Sequence, residues 1–193
     1  MKNYNNVKIN DRMIKKILKR HEHWYHRDCK NWERMRANLC DANLRGAELV
    51  SINLYNANLY YADLYNANLY NANLIGANLD SANLYKAELT NSNLCNANLC
   101  YANLDSTNLY HANLRDTNLY YAILQDANLC NANLNNANLY HADLRGADLR
   151  GANLNGANLC CAILTNANLC GAILDHANLN GADLRGTELD PTN

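Results

Sequence analysis

Few residues in this chain have chemistry to offer, and they are unusually placed. His21, His23, His26 and Cys29 follow one another as H-x-H-x2-H-x2-C, and imidazole and thiolate are the usual ligands of zinc. The spacing matches no standard zinc module. On a helix, His23 and His26 share a side that His21 does not, so the group reads as the polar surface of a cap, with no metal and no cofactor. The eight cysteines, at positions 29, 40, 95, 100, 130, 160, 161 and 170, show no framework spacing. An intracellular chain would keep them reduced, and they read as small packing residues, with adjacent Cys160 and Cys161 as two thiols rather than a strained bond.

Charge and aromatic residues are just as unevenly spread. Met1 to Arg36 carries eleven Lys and Arg against four Asp and Glu, whereas the remainder carries six against fourteen, so the molecule is basic at one end and acidic along the rest. There is no Phe, one Pro and two Trp, but thirteen Tyr. No run of about 18 apolar residues exists to cross a membrane. The first residues, with Lys2, Lys8, Arg12, Lys15, Lys16, Lys19 and Arg20, lack the apolar stretch of a signal peptide. The expectation is a cytoplasmic protein without a membrane partner.

From Ala37 onward one pattern positions everything else. Leucine recurs at every fifth residue from Leu39 to Leu189, 31 times without replacement. Two residues before each stands Ala, except at Ile52, Ser92, Thr107, Thr117 and Thr187. One residue before stands Asn, Asp or Glu, or Ile at 123, 163 and 173. The two residues after each leucine read as free. Five residues on an α-helix advance about 140° past a full turn, which scatters the leucines around the axis. In a straight strand, residues five apart point to opposite faces. Only a backbone that turns a corner every five residues keeps Ala and Leu inward and the rest outward.

Stretches such as Ala57-Asn58-Leu59-Tyr60-Tyr61 and Ala67-Asn68-Leu69-Tyr70-Asn71 resemble the pentapeptide repeat family, whose consensus is A-(D/N)-L-x-x. The resemblance implies an all-β solenoid, a right-handed quadrilateral β-helix in which four pentapeptides make one coil and residue n stacks on n + 20. With strands about 4.8 Å apart, 37–191 would make about seven to eight coils and a rod of roughly 37 Å. Each coil touches only its neighbours, so the ends need caps. Residues 1–36 supply one: Asp11 is placed to cap a helix, and Met13, Ile14, Ile17, Leu18, His21 and Trp24 or Tyr25 follow at spacings of three and four. The far end has no counterpart, which leads to the expectation of a homodimer joined through its last coil.

In that register Cys161 stacks on His141, the minimum for a nucleophilic pair. No third group orients it, and a convex rod offers no pocket to exclude water, so the expectation is that the protein is not an enzyme. Tyrosine is what the fold least explains. Tyr60, Tyr61, Tyr101, Tyr120, Tyr121 and Tyr140 fall on one face beside His141 and form the candidate surface for an unidentified protein partner. Two alternatives attach to charge. Gyrase-inhibiting members of the family are proposed to mimic duplex DNA, which shows one negative charge per about 1.7 Å, so a rod of this length would need roughly 22. It has fourteen acids, the most acidic face holding Glu48, Glu88, Asp148, Glu188 and Asp190 against Arg150. Lys15, Lys16, Lys19, Arg20 and Trp24 offer a weak nucleic-acid footprint, but the charged outer face of a cap explains the same residues.

Overall fold

A pentapeptide that turns a corner must find an acceptor for each of its amides, and this requirement shapes the whole molecule. The structure, a computed structural model, describes residues 12–27 and 36–190. Parallel bridges join residues twenty apart, from Asn38↔Asn58 to Ile163↔Asp183. Leu39 N–H donates to the Asn58 carbonyl at 2.7 Å, and Asn58 N–H returns to the Ala37 carbonyl at 2.9 Å. Asp41 N–H reaches the Tyr60 carbonyl at 2.9 Å, and Ala42 N–H closes the corner on the Leu39 carbonyl at 3.1 Å. Four of the five amides in each repeat of the interior coils are thus satisfied by backbone.

The fifth, on the residue after leucine, is satisfied by the side chain before leucine. Cys40 N–H donates to Asn38 Oδ1 at 3.3 Å, and Tyr65 N–H to Asp63 Oδ1 at 3.1 Å. Asn adds a second bond, because its Nδ2 donates to the side chain one coil below, as from Asn58 to Asn38 at 2.9 Å and from Asn73 to Asn53 at 3.1 Å. At the two places where Ile interrupts this ladder beneath another described coil, the residue above is Asp: Asp143 lies over Ile123 and Asp183 over Ile163. An Asn there would have no acceptor for its amide. The carboxylate instead takes an arginine two residues on, Arg145 for Asp143 and Arg185 for Asp183, each at 2.6 Å.

Inside, the leucines from Leu39 to Leu164 are at most 2 % exposed and form one column of core with the alanines. Thr107 and Thr117, standing in alanine positions, donate to the carbonyls of Leu84 and Leu114 at 2.8 and 2.6 Å. Ser92 is equally buried, but its Oγ has no partner among the described residues. Towards the end the core opens. Leu174, Leu179 and Leu184 are only partly buried and Leu189 stands 41 % exposed, so the last leucine of the repeat pattern leaves the core. Glu188 folds back so that its Oε2 accepts Leu169 N–H at 3.1 Å, where deeper coils use a carbonyl.

The cap is helix α1, Arg12–His26. Ile14, Leu18, His21 and Glu22 are buried, Ile17 packs against the core, and Tyr25 is exposed. Met13 and Asp11 lie outside the residues whose side chains are described. His21 is the centre of the junction. Its Nδ1 accepts Ala37 N–H at 3.0 Å, the bond that Ala57 makes to the Leu54 carbonyl one coil up. The ring therefore carries its proton on Nε2, which is buried without a partner among the described residues. Trp24 stacks on it at 5.1 Å and reaches Tyr55 of the rod at 6.0 Å.

Burial first, and Arg36 second, push the His21 pKa from 6.5 down to about 4. Below pH 6.5 the unfolded chain therefore binds a proton that the folded one refuses, and stability present above that pH is lost as pH falls towards 4. A His21→Gln variant, which keeps an acceptor but does not titrate, is expected to lack the loss of roughly 2–3 kcal/mol that wild type shows between pH 7 and pH 4. Thermal melts of both proteins across that range measure the difference. Ser92→Ala removes a buried hydroxyl without a partner and is expected to raise stability by about 1–2 kcal/mol, read by denaturant unfolding.

Candidate interaction surface

The corners carry the side chains that a partner would meet, and they are built alike. At all thirty corner positions from Asp41 to Gly186, the second residue after leucine has φ between 51° and 73°. This is the third residue of a type II turn, which requires the left-handed region. All eight glycines of the chain sit there, with Asn, Asp, Ser and His at most of the other corners. The two positions after leucine are therefore not equally free, contrary to the reading from the repeat alone; β-branched residues occur only at the first. The turn also brings these two sequence neighbours side by side, as with Ser81 on Asp80 at 2.8 Å and Arg115 on Asp116 at 2.9 Å.

One corner column gathers the aromatic residues. Tyr121 stacks on Tyr101 at 5.6 Å and beneath His141 at 4.7 Å, while Tyr120 stacks on Tyr140 at 5.7 Å and 3°. Edge contacts link the two files: Tyr120 with Tyr121 at 4.6 Å, Tyr140 with His141 at 4.4 Å and Tyr101 with Tyr120 at 5.6 Å. Tyr60 and Tyr61 touch each other at 4.5 Å but belong to a separate group, because Asp80 and Ser81 occupy the coil between. The expected single stripe is two patches. Burial first, then neighbouring phenol or thiol groups, raise the pKa of Tyr60, Tyr120 and Tyr140, so these rings stay neutral hydrogen-bonding groups at physiological pH.

Large apolar residues extend the upper patch. Ile123 and Ile163 stand 39 % and 37 % exposed on the adjoining side, in ladder positions held elsewhere by Asn or Asp. Tyr101 and Tyr121 have φ of 55° and 54° and remain 56 % and 41 % exposed. Bulky side chains in the left-handed region are uncommon and cost on the order of 1–2 kcal/mol each.

Charge is arranged differently. Arg45, Arg115, Arg145, Arg150 and Arg185 each hold an aspartate, at 2.6–3.0 Å. Arg150 draws the Asp148 carboxyl down to about 2, and Arg185 holds Asp183 lower still. Glu48 accepts Asn68 Nδ2 at 3.0 Å, and Glu88 accepts Asn108 Nδ2 and Thr90 N–H, both at 2.8 Å. The acidic residues of that face are thus engaged by the scaffold or by arginine rather than arrayed as an even line of free charge.

The other sequence candidates are dispersed. His21 is buried and His26 exposed, and the His26 ring meets the Tyr25 ring edge-on at 5.2 Å. Among the described residues no group of three His, Cys, Asp or Glu is arranged to hold a metal ion, and Cys29 lies outside them. His141 is stacked on Tyr121, and the Cys161 thiol lies against Cys160 rather than forming a nucleophilic pair. One feature escaped the sequence reading: a cavity of about 520 Å³ between cap and rod, lined by Trp24, Tyr25, Arg27, Tyr55 and Asn56. Its walls meet only when the helix docks, and no spacing in the sequence announces that. No helix among the described residues is long and apolar enough to cross a membrane.

The family model for pentapeptide repeats matches in eight copies, across residues 35–69, 62–99, 77–116, 112–151, 122–159 and 152–190. The chain belongs to the pentapeptide repeat proteins. These adopt a right-handed quadrilateral β-helix, in keeping with the twenty-residue offset of the bridges. Among solved structures, HetL, a pentapeptide repeat protein involved in heterocyst differentiation regulation in the cyanobacterium Nostoc sp. strain PCC 7120, is 37% identical. That match covers 81% of this chain and 78% of HetL, with a TM-score of 0.60. A pentapeptide repeat protein of the Arabidopsis thaliana thylakoid lumen is 32% identical over 49% of this chain and 66% of its own, with a TM-score of 0.47. QnrB1, a plasmid-mediated fluoroquinolone resistance protein, is 18% identical over 80% of this chain and 92% of its own, with a TM-score of 0.47. No curated protein matches the chain.

Proposed function

We propose that this pentapeptide repeat protein is a non-enzymatic cytoplasmic scaffold that holds a protein partner through the aromatic corner centred on Tyr121. The supporting observation is the placement of Tyr101 and Tyr121. Each occupies a left-handed corner that Asn or Gly fills elsewhere, and each keeps about half its surface in water. Ring stacking returns about 0.5–1.5 kcal/mol per pair, which offsets the backbone strain but does not require such exposure. Tyrosine in a packed patch is a favoured binding anchor, and Ile123 and Ile163 widen the apolar area beside it. HetL's involvement in regulation is in keeping with a protein that acts by contact.

A pull-down with a variant carrying Tyr101, Tyr120, Tyr121 and Tyr140 changed to Asn tests this reading. Asn already serves both corner positions, as at Asn135 and Asn136, so the rod is expected to survive. The expected result is a protein retained by wild type and by a Tyr60→Asn, Tyr61→Asn control but lost by the fourfold variant. Equal retention by all three sinks the proposal.

The same reading includes a pair of rods joined end to end. Leu174, Leu179 and Leu184 remain partly exposed in the last described coil, with Ala172, Ala177 and Ala182 beside them, and a second copy presenting the same layer would cover them. Light scattering is expected to give twice the chain mass; Leu179→Lys, placed in that layer, is expected to return it to the single-chain value.

A further inference from the structure

Cys160 and Cys161 are adjacent in sequence, and in most backbones their side chains would point apart. Here they occupy the two corner positions, with Cys161 at φ 58°, and the turn sets their sulfurs 3.6 Å apart. Both are free thiols and both are half-buried. They lie in the columns of Tyr140 and His141, at the upper end of the aromatic patch.

That separation selects the chemistry. With sulfur bonds of about 2.3 Å to a shared centre, sulfurs 3.6 Å apart subtend about 103°. A linear two-coordinate ion would need about 4.6 Å between them. The site is therefore shaped for a pyramidal or tetrahedral centre. A closed tetrahedral metal site needs four protein ligands, and among the described residues no set of even three is arranged for one. A pyramidal centre that brings its own third ligand needs only two sulfurs.

We propose that Cys160 and Cys161 form a two-sulfur clamp for trivalent arsenic bearing one oxygen or carbon substituent of its own. With phenylarsine oxide the two S–H bonds and the As–O bond break, and two S–As bonds form. The thiol protons leave with the oxide oxygen as one water, and arsenic stays trivalent. The Cys160 pKa is raised, chiefly by its hydrogen bond with Cys161 and then by burial. The protonated thiol is thus a reactant in the step as balanced.

The test is titration of the reduced full chain with phenylarsine oxide, read by intact mass. The clamp predicts one equivalent bound, with affinity falling on the order of 100-fold in Cys160→Asn and in Cys161→Ser, because the second sulfur acts at high effective concentration. Asn180 and Ser81 occupy the same two columns, so both variants are expected to fold, as thermal melts would verify. Cys100→Asn and Cys170→Asn are expected to bind as wild type does. The proposal is overturned if wild type takes up no arsenical, if either Cys160 or Cys161 variant that melts like wild type binds equally well, or if the binding is lost with Cys100 or Cys170 instead.

Discussion

The amide of the residue that follows each leucine is the constraint on which the rest of the molecule depends. Backbone acceptors serve the other four amides of a repeat, but this one lies at the corner, where no neighbouring coil presents a carbonyl to it. A side chain two residues earlier must supply the acceptor, and it must be short enough to reach back while the corner closes. Asn and Asp meet both conditions; Glu88 meets them with one more carbon. The polar position of the repeat is therefore part of the backbone's own hydrogen bonding, not a solubilising surface laid over a leucine core. The amides of Gln125, Thr165 and Asp175, after the three isoleucines, lack this acceptor, and those are the places where the outer surface turns apolar.

Much of this was legible beforehand, and the parts that were not have identifiable causes. Leucine every fifth residue excludes helix and strand by geometry alone and leads directly to the buried column from Leu39 to Leu164. The ladder follows from Asn before leucine. The handed corner did not emerge, although Gly46, Gly76 and the other six glycines all share one position, because Tyr61, Lys86 and Cys161 in the same place make it look unconstrained. The sequence puts His21 both in a polar histidine group and on the periodic face of the cap helix, but nothing local reveals that its ring will replace a carbonyl opposite Ala37. The division of the tyrosines rests on Asp80 and Ser81, which interrupt the column when residues are sorted by twenty.

Corners convert adjacency in sequence into contact in space. In ordinary strands consecutive side chains avoid each other, so a pair such as Tyr-His or Cys-Cys carries little meaning. On this scaffold each such pair is a preassembled unit: Tyr110 meets His111 at 4.1 Å, Tyr140 meets His141 at 4.4 Å, and Cys160 meets Cys161 at 3.6 Å. Dipeptides are thus the natural alphabet of the outer surface, and stacking them every twenty residues writes larger patches along the rod.

The ladder has a direction. From Asn178 to Asn158, Asn158 to Asn138, and onward down to Asn38, at every step but the one from Asn118 to Asn98, the side-chain amide donates towards the capped end and accepts from the other. The file of eight asparagines is therefore polar, presenting hydrogen-bond donors at its foot and acceptors at its head. A following coil, or another rod arriving head to tail, could prolong it without change. Two rods meeting tail to tail bring acceptor against acceptor, so this file must stop at such a joint, and cohesion there falls to the leucine layer and to the backbone edges.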